Sequence, residues 1–121
     1  MSVDKGFLNL QLYRGDFESY ELEMTEIVND TEVDIDIAAV YDEIILQART
    51  ANDPRSSKII DLRLSTGDIT ISNTNLLSWS MQTNAQAGSY VFDITFKLAG
   101  GDQYLTLIKG NVIIENDISR P

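Results

Sequence analysis

The amino-acid sequence predicts an all-β fold, an antiparallel β-sandwich of roughly eight short strands. Three observations carry this. In the run Tyr90–Leu98, the residues Tyr90, Phe92, Ile94, Phe96 and Leu98 alternate strictly with Val91, Asp93, Thr95 and Lys97. That period of two describes a strand with one face in a core and the other in water. Ala99-Gly100-Gly101-Asp102 then separates this run from a second long apolar run, Tyr104–Glu115. The pair reads as a hairpin closed by glycines, which tolerate positive φ. Along the rest of the chain, turn residues recur about every ten positions and no segment sustains a helical 3.6-residue period.

The remaining elements follow in order. Leu8, Leu10 and Leu12 alternate with Asn9, Gln11 and Tyr13 in a first strand, stopped by Arg14-Gly15-Asp16. Tyr20, Leu22 and Met24 alternate with Glu21, Glu23 and Thr25 in a second. The polar stretch Asn29–Glu32 leads to a short alternating piece, Val33–Ile37, with Val33, Ile35 and Ile37 on its inner side. Ile44, Leu46 and Ala48 share a face in Glu43–Arg49. The window Ile37–Ala48 is the nearest candidate for a helix, but β-branched Val40, Ile44 and Ile45 favour strand there. Asn52-Asp53-Pro54 and Ser56-Ser57 supply a loop, and Ile60, Leu62 and Leu64 follow as a further strand. Ser65-Thr66-Gly67-Asp68 turns into the brief strand Ile69–Ser72, and Leu77, Trp79 and Met81 then alternate with Ser78, Ser80 and Gln82. Gln82–Gly88 is a loop or a single helical turn. The predicted core between the two sheets comprises Leu10, Leu12, Leu22, Leu46, Leu62, Leu77, Trp79, Phe92, Ile94 and Phe96.

The last strand has a parity problem. A turn at Gly100-Gly101 sets Phe96 opposite Leu105 and Ile94 opposite Leu107, which leaves Val112 and Ile114 on the wrong face. A β-bulge near Lys109-Gly110 repairs this, since glycine is the residue expected at such a kink. The alternative is a straight strand covered on its second face by a partner subunit over Leu105, Leu107 and Ile113.

Composition narrows the function classes. At 121 residues with 43% hydrophobic content, the chain reads as one domain over 1–121, with its core at about 7–115 and flexible ends. Nine basic and nineteen acidic residues give a net charge of −10, which repels phosphate backbones and anionic lipid surfaces, so neither nucleic acid nor a membrane is expected as partner. With no cysteine and no histidine there is no disulfide scaffold, no thiolate nucleophile and no imidazole base. Met1–Gly6 lacks the apolar stretch of a secretory signal, and no apolar run approaches the ~20 residues of a membrane span. The expectation is a soluble, unsecreted chain.

Candidate constellations have plain readings beside the functional ones. Asp30, Glu32, Asp34 and Asp36 could gather Ca²⁺, which needs six to eight oxygens, but at that spacing on a strand they form a solvated face. Ser65, Ser78 and Ser80 have no base to activate them, and Ser56-Ser57-Lys58 reads as polar loop rather than a Ser-Lys pair. Arg14-Gly15-Asp16 matches a cell-adhesion tripeptide and equally fits a strand-end turn. Trp79 shares its parity with Leu77 and Met81, which favours core over a sugar-stacking platform. No catalytic, cofactor-binding or metal-ligating residue is assigned, and the interface residues are left open.

The order of these motifs resembles a family of small immunoglobulin-like modules encoded by tailed bacteriophages and prophages, and is similar to the N-terminal domain of baseplate upper proteins. The resemblance runs from Arg14 to about Ile114. It rests on Arg14-Gly15-Asp16 before the alternating Tyr20–Thr25, on Asp36-Ile37 before Glu43–Arg49, and on Gly67-Asp68-Ile69-Thr70-Ile71. Ala87-Gly88-Ser89-Tyr90-Val91-Phe92-Asp93 and the closing Leu107–Val112 complete it. Where the family carries a glycine after the Asp-hydrophobic pair, this chain has Ala38-Ala39.

What the resemblance implies is an immunoglobulin-like antiparallel β-sandwich of about 7–8 strands. It further implies a non-enzymatic virion structural protein of the tail, the baseplate, the fibre attachment or the capsid surface. Such a protein is assembled in the bacterial host cytoplasm, docks on other phage virion proteins as a symmetric homo-oligomer in the particle, and needs no cofactor. Two other readings stand beside it. One is a module binding host-surface carbohydrate, for which Tyr13, Tyr41 and Trp79 are the candidate aromatics. The other is an acidic inhibitor that mimics nucleic acid.

Overall fold

The computed structural model describes residues 6–51 and 55–116. The expected loop at Asn52-Asp53-Pro54 and the expected flexible ends at 1–5 and 117–121 lie outside the described residues. The strands are β1 (Gly6–Tyr13), β2 (Glu18–Glu23), β3 (Thr25–Val28), β4 (Thr31–Asp34), β5 (Tyr41–Arg49), β6 (Lys58–Arg63), β7 (Ile69–Ser72), β8 (Leu76–Met81), β9 (Gly88–Leu98) and β10 (Tyr104–Glu115). One helical turn, α1 (Ile37–Val40), precedes β5.

Eight of these strands build two sheets. The larger has the order β1-β10-β9-β5-β6, the smaller β2-β8-β7, and β3-β4 form a separate two-stranded ribbon. Every pairing is antiparallel except β1 with β10. The fold is therefore all-β and sandwich-like, with a single apolar cluster supplied from both sheets. Leu12, Leu46, Ile94, Phe96 and Ile114 enter it from the larger sheet and Ile69, Leu77, Trp79 and Met81 from the smaller.

Of the predicted core, Leu10, Leu12, Leu46, Leu77, Trp79, Phe92, Ile94 and Phe96 are buried. Leu22, on the edge strand β2, and Leu62, on the edge strand β6, are only partly buried. The helix candidate Ile37–Ala48 is realised in its first turn alone. Ala38-Ala39 permit that turn, closed by Val40 N–H donating to the Asp36 carbonyl at 3.3 Å, and the β-branched residues beyond it extend.

The piece Val33–Ile37 behaves differently from expectation. Val33 is 41% exposed, whereas Ile35 and Ile37 are buried. Asn29 and Asp30 both take positive φ, 50° and 62°, and so fold Thr25–Asp34 into a tight two-residue hairpin that carries Val33 away from the core. What reads as a polar stretch is thus a turn; it adds the strand β3 and places β4 earlier than the expected piece Val33–Ile37.

The parity problem of β10 is solved by a bulge, three residues before Gly110. Leu105 pairs with Phe96 as expected, and the register then shifts between Thr106 and Ile108. Leu107 is the inserted residue; it and Ile108 are both buried, and Val112 and Ile114 return to the interior. Gly110 is required for another reason. It pairs with Leu8 across the parallel β1–β10 contact, and a Cβ added there would run into the Leu8 carbonyl oxygen, would lie 2.7 Å from the Leu8 carbonyl carbon and would lie 2.8 Å from the Phe92 ring.

Replacing Gly110 by Ala is expected to cost about 1–3 kcal/mol of stability, as overpacking against backbone does, and to deprotect β1 amides selectively. Urea denaturation and amide hydrogen exchange measure the two effects; a loss under about 0.5 kcal/mol would show that β1 does not approach β10 this closely. Phe92→Ala, which empties the site above Gly110, is expected to cost about 3–5 kcal/mol.

Candidate functional site

Two surfaces stand out once the core is subtracted: the β3–β4 ribbon, and a groove on the outer face of β2-β8-β7. In the ribbon, Glu26 pairs with Val33, Ile27 with Glu32 and Val28 with Thr31. Directly opposed residues share a face, so Val28 and Val33 lie on one side and Ile27 on the other. Ile27 is 61% exposed, and Val28 and Val33 are also in water. Glu26, Asp30, Glu32 and Asp34 lie on the same ribbon, and none of the four joins an ion pair among the described residues. From Gly15 through Ala48 the sequence contains no lysine or arginine.

The groove, of about 550 Å³, follows from cross-strand registry. Glu21 of β2, Ser78 of β8 and Thr70 of β7 form one rung across the three strands. Ser19 and Ser80 form the next, with their hydroxyls 2.9 Å apart. β7 begins at Ile69, opposite Trp79, so beyond that point β8 has no neighbour on its β7 side and the groove opens toward Asp68 and Leu62. Phe17 and Gln82 stand at its end, the Gln82 amide donating to the Gly15 carbonyl at 2.9 Å.

The other candidate residues are accounted for by local structure. The Arg14-Gly15-Asp16 turn, with Gly15 at φ 85°, is tied down: Arg14 Nε donates to the Asn84 carbonyl at 2.9 Å and the Gly15 N–H to that of Thr83 at 2.8 Å. The Ser65 N–H donates to Glu43 Oε1 at 3.0 Å, and Ser78 and Ser80 lie in the groove. Lys58 pairs with Asp61 at 3.0 Å rather than with a serine. Of the aromatics considered for sugar stacking, Trp79 and Tyr41 are buried and only Tyr13 is exposed. Asp30, Glu32, Asp34 and Asp36 are exposed, and among the described residues no three histidine, cysteine, aspartate or glutamate side chains group closely enough to hold a metal ion.

On the outer face of the larger sheet the charges are mixed. Asp61 accepts from Lys58 Nζ at 3.0 Å and Arg63 Nε at 3.2 Å; burial works to raise its pKa, and these bonds outweigh it and hold the carboxyl below its ordinary range. Asp42, gripped by Lys97 Nζ at 2.9 Å and by the Gly100 N–H at 3.4 Å, is likewise held low. Asp93 is the exception. It pairs across strands with Lys109 and Gln47, yet burial among its neighbours raises its pKa despite the attraction of Lys109 and Arg49.

The chain matches no family model, and none of the curated proteins matches it.

Asp93→Asn is expected to stabilise the protein at neutral pH. A carboxyl whose folded pKa is raised binds its proton more tightly in the native state, so it opposes folding above its unfolded pKa of about 4 and ceases to do so below it. Urea unfolding at pH 7 and pH 3 measures this: the gain should be present at pH 7 and absent at pH 3. Asp42→Asn should show the opposite sign, a loss at pH 7 that fades as pH falls through the lowered pKa of Asp42.

Proposed function

We propose that this chain is a non-enzymatic structural protein of a bacteriophage particle, an immunoglobulin-like sandwich that docks onto other virion proteins through the β3–β4 ribbon. The ribbon carries the reading. It places Ile27, Val28 and Val33 in water beside the carboxylates of Glu26, Glu32 and Asp34, on an element that packs in neither sheet. An isolated two-stranded hairpin is marginal by itself, and exposed apolar side chains rimmed by charge fit a contact completed by a partner.

Further details support the immunoglobulin-like part of the proposal. The order β2-β8-β7 opposite β10-β9-β5 corresponds to strands B-E-D opposite G-F-C of such a sandwich. Tyr90, near the start of the F-equivalent β9, donates its hydroxyl to the Gln86 carbonyl at 2.6 Å, the hydrogen bond of a tyrosine corner. Two residues on, where antibody domains place a disulfide cysteine, Phe92 fills the core. With the motif order from Arg14 to about Ile114, these features favour the phage module. Its place is then the virion, after assembly in the host cytoplasm, in symmetric multiple copies.

A second reading, an inhibitor that mimics nucleic acid, draws on the purely acidic stretch between Gly15 and Ala48. The two readings separate in one experiment. Quantitative mass spectrometry of purified particles is expected to find the protein in stoichiometric amounts, and the variant I27S/V28S/V33S to lower its incorporation about tenfold while leaving the urea midpoint nearly unchanged, since surface substitutions usually shift stability by less than about 0.5 kcal/mol. Absence from mature particles, together with a nuclease complex that weakens steeply with salt, would establish the inhibitor instead.

A further inference from the structure

We infer that the groove across β2, β8 and β7 is a binding site for a neutral saccharide. This goes beyond the docking reading and does not depend on it, because the groove and the ribbon are separate surfaces.

The argument starts from the chemistry of the lining. Hydroxyls of Ser19, Ser78, Ser80 and Thr70 pave the floor, with the carboxylates of Glu21 and Asp68 beside them. Each sugar hydroxyl both donates and accepts, so it needs a surface that does the same; serine and threonine hydroxyls qualify, and carboxylates accept the stronger, charge-assisted bonds. Neighbouring strands lie about 4.8 Å apart, so the rung Glu21–Ser78–Thr70 offers three polar groups over about 10 Å, the span of two linked sugar rings rather than one. None of these three makes a side-chain hydrogen bond or ion pair among the described residues.

An aromatic completes the site. Phe17, 72% exposed at the rim, presents a phenyl ring against which the C–H face of a sugar can pack. Tyr20 and Trp79, stacked with ring centroids 5.8 Å apart, also line the groove, and the indole N–H of the buried Trp79 has no hydrogen-bond partner. Charge then selects the class of ligand. Both charged groups in the lining are acidic and the molecule carries −10, so uronates, sialosides and phosphorylated sugars are repelled. At about 550 Å³ the groove takes one or two sugar rings.

The test is a ¹H–¹⁵N titration of the intact protein with lactose, maltose, cellobiose and N,N′-diacetylchitobiose, each to about 20 mM, with 3′-sialyllactose as the anionic counterpart of lactose. At least one neutral disaccharide is expected to shift the amides of Ser19, Glu21, Thr70, Ser78 and Ser80 with a millimolar Kd. Phe17→Ala and Ser78→Ala are each expected to weaken it about tenfold, with the remaining spectrum unchanged. The sialylated sugar should bind more weakly than lactose. No shift of these amides by any of the four disaccharides overturns the inference, as do shifts elsewhere on the surface or binding indifferent to both substitutions.

Discussion

Because side chains on a strand alternate with period two, the single extra residue at Leu107 determines which face of β10 the molecule buries. Before it, Leu105 stands opposite Phe96; after it, Val112 and Ile114 point into the core that an unbroken register would have denied them. The same shift brings Gly110 opposite Phe92 on one side and Leu8 on the other. There the backbone of β1 comes so close that no side chain fits. β1 follows this phase, with Leu10 opposite Val112 and Leu12 opposite Ile114 in the shared cluster. One added residue thus couples the hairpin, the parallel first strand and the core.

Much of this was legible in alternation alone. β9 and the buried faces of β5 and β8 read directly, since each has one wet and one dry side over at least six residues, whereas β10 read as a strand with its parity open. Gly110 was legible as a special position but not in its cause: a glycine in a strand signals either a bulge or a close backbone approach, and only the position of β1 distinguishes them. The ribbon escaped because four-residue strands are too short to show a period, and Asn29-Asp30 lacks the glycine that usually marks a two-residue turn. The groove was half visible. Ser78 and Ser80 flanking Trp79 announce a polar outer face, but joining them to Ser19, Glu21 and Thr70 requires knowing that β2 and β7 flank β8.

The acidic excess is distributed with a structural logic. Carboxylates on the larger sheet hold turns in place: Asp42 links Lys97 to the Gly100 N–H of the β9–β10 turn, and Glu43 Oε1 accepts from both the Ile44 and Ser65 N–H groups, fastening β5 to the segment after β6. For Glu43, burial alone would raise the pKa, and the two backbone donors with the Ser65 side chain reverse that and hold it low. On the ribbon, by contrast, Glu26, Asp30, Glu32 and Asp34 join no ion pair among the described residues. Charges that stabilise a fold come with partners, so an unbalanced set on an exposed element is better explained by what it keeps away or attracts.

On the docking reading, the ribbon's weakness becomes useful. A two-stranded element with apolar side chains on both faces gains order when a partner covers it, so part of the contact energy goes into fixing the ribbon and each single contact stays weak. A small module repeated around a symmetric particle does not need strong single contacts, because neighbouring copies raise the effective concentration of one another. Carboxylates around Ile27, Val28 and Val33 serve the same end in the unassembled protein, where like charge keeps exposed apolar ribbons of two copies apart until an oppositely charged partner surface removes the repulsion.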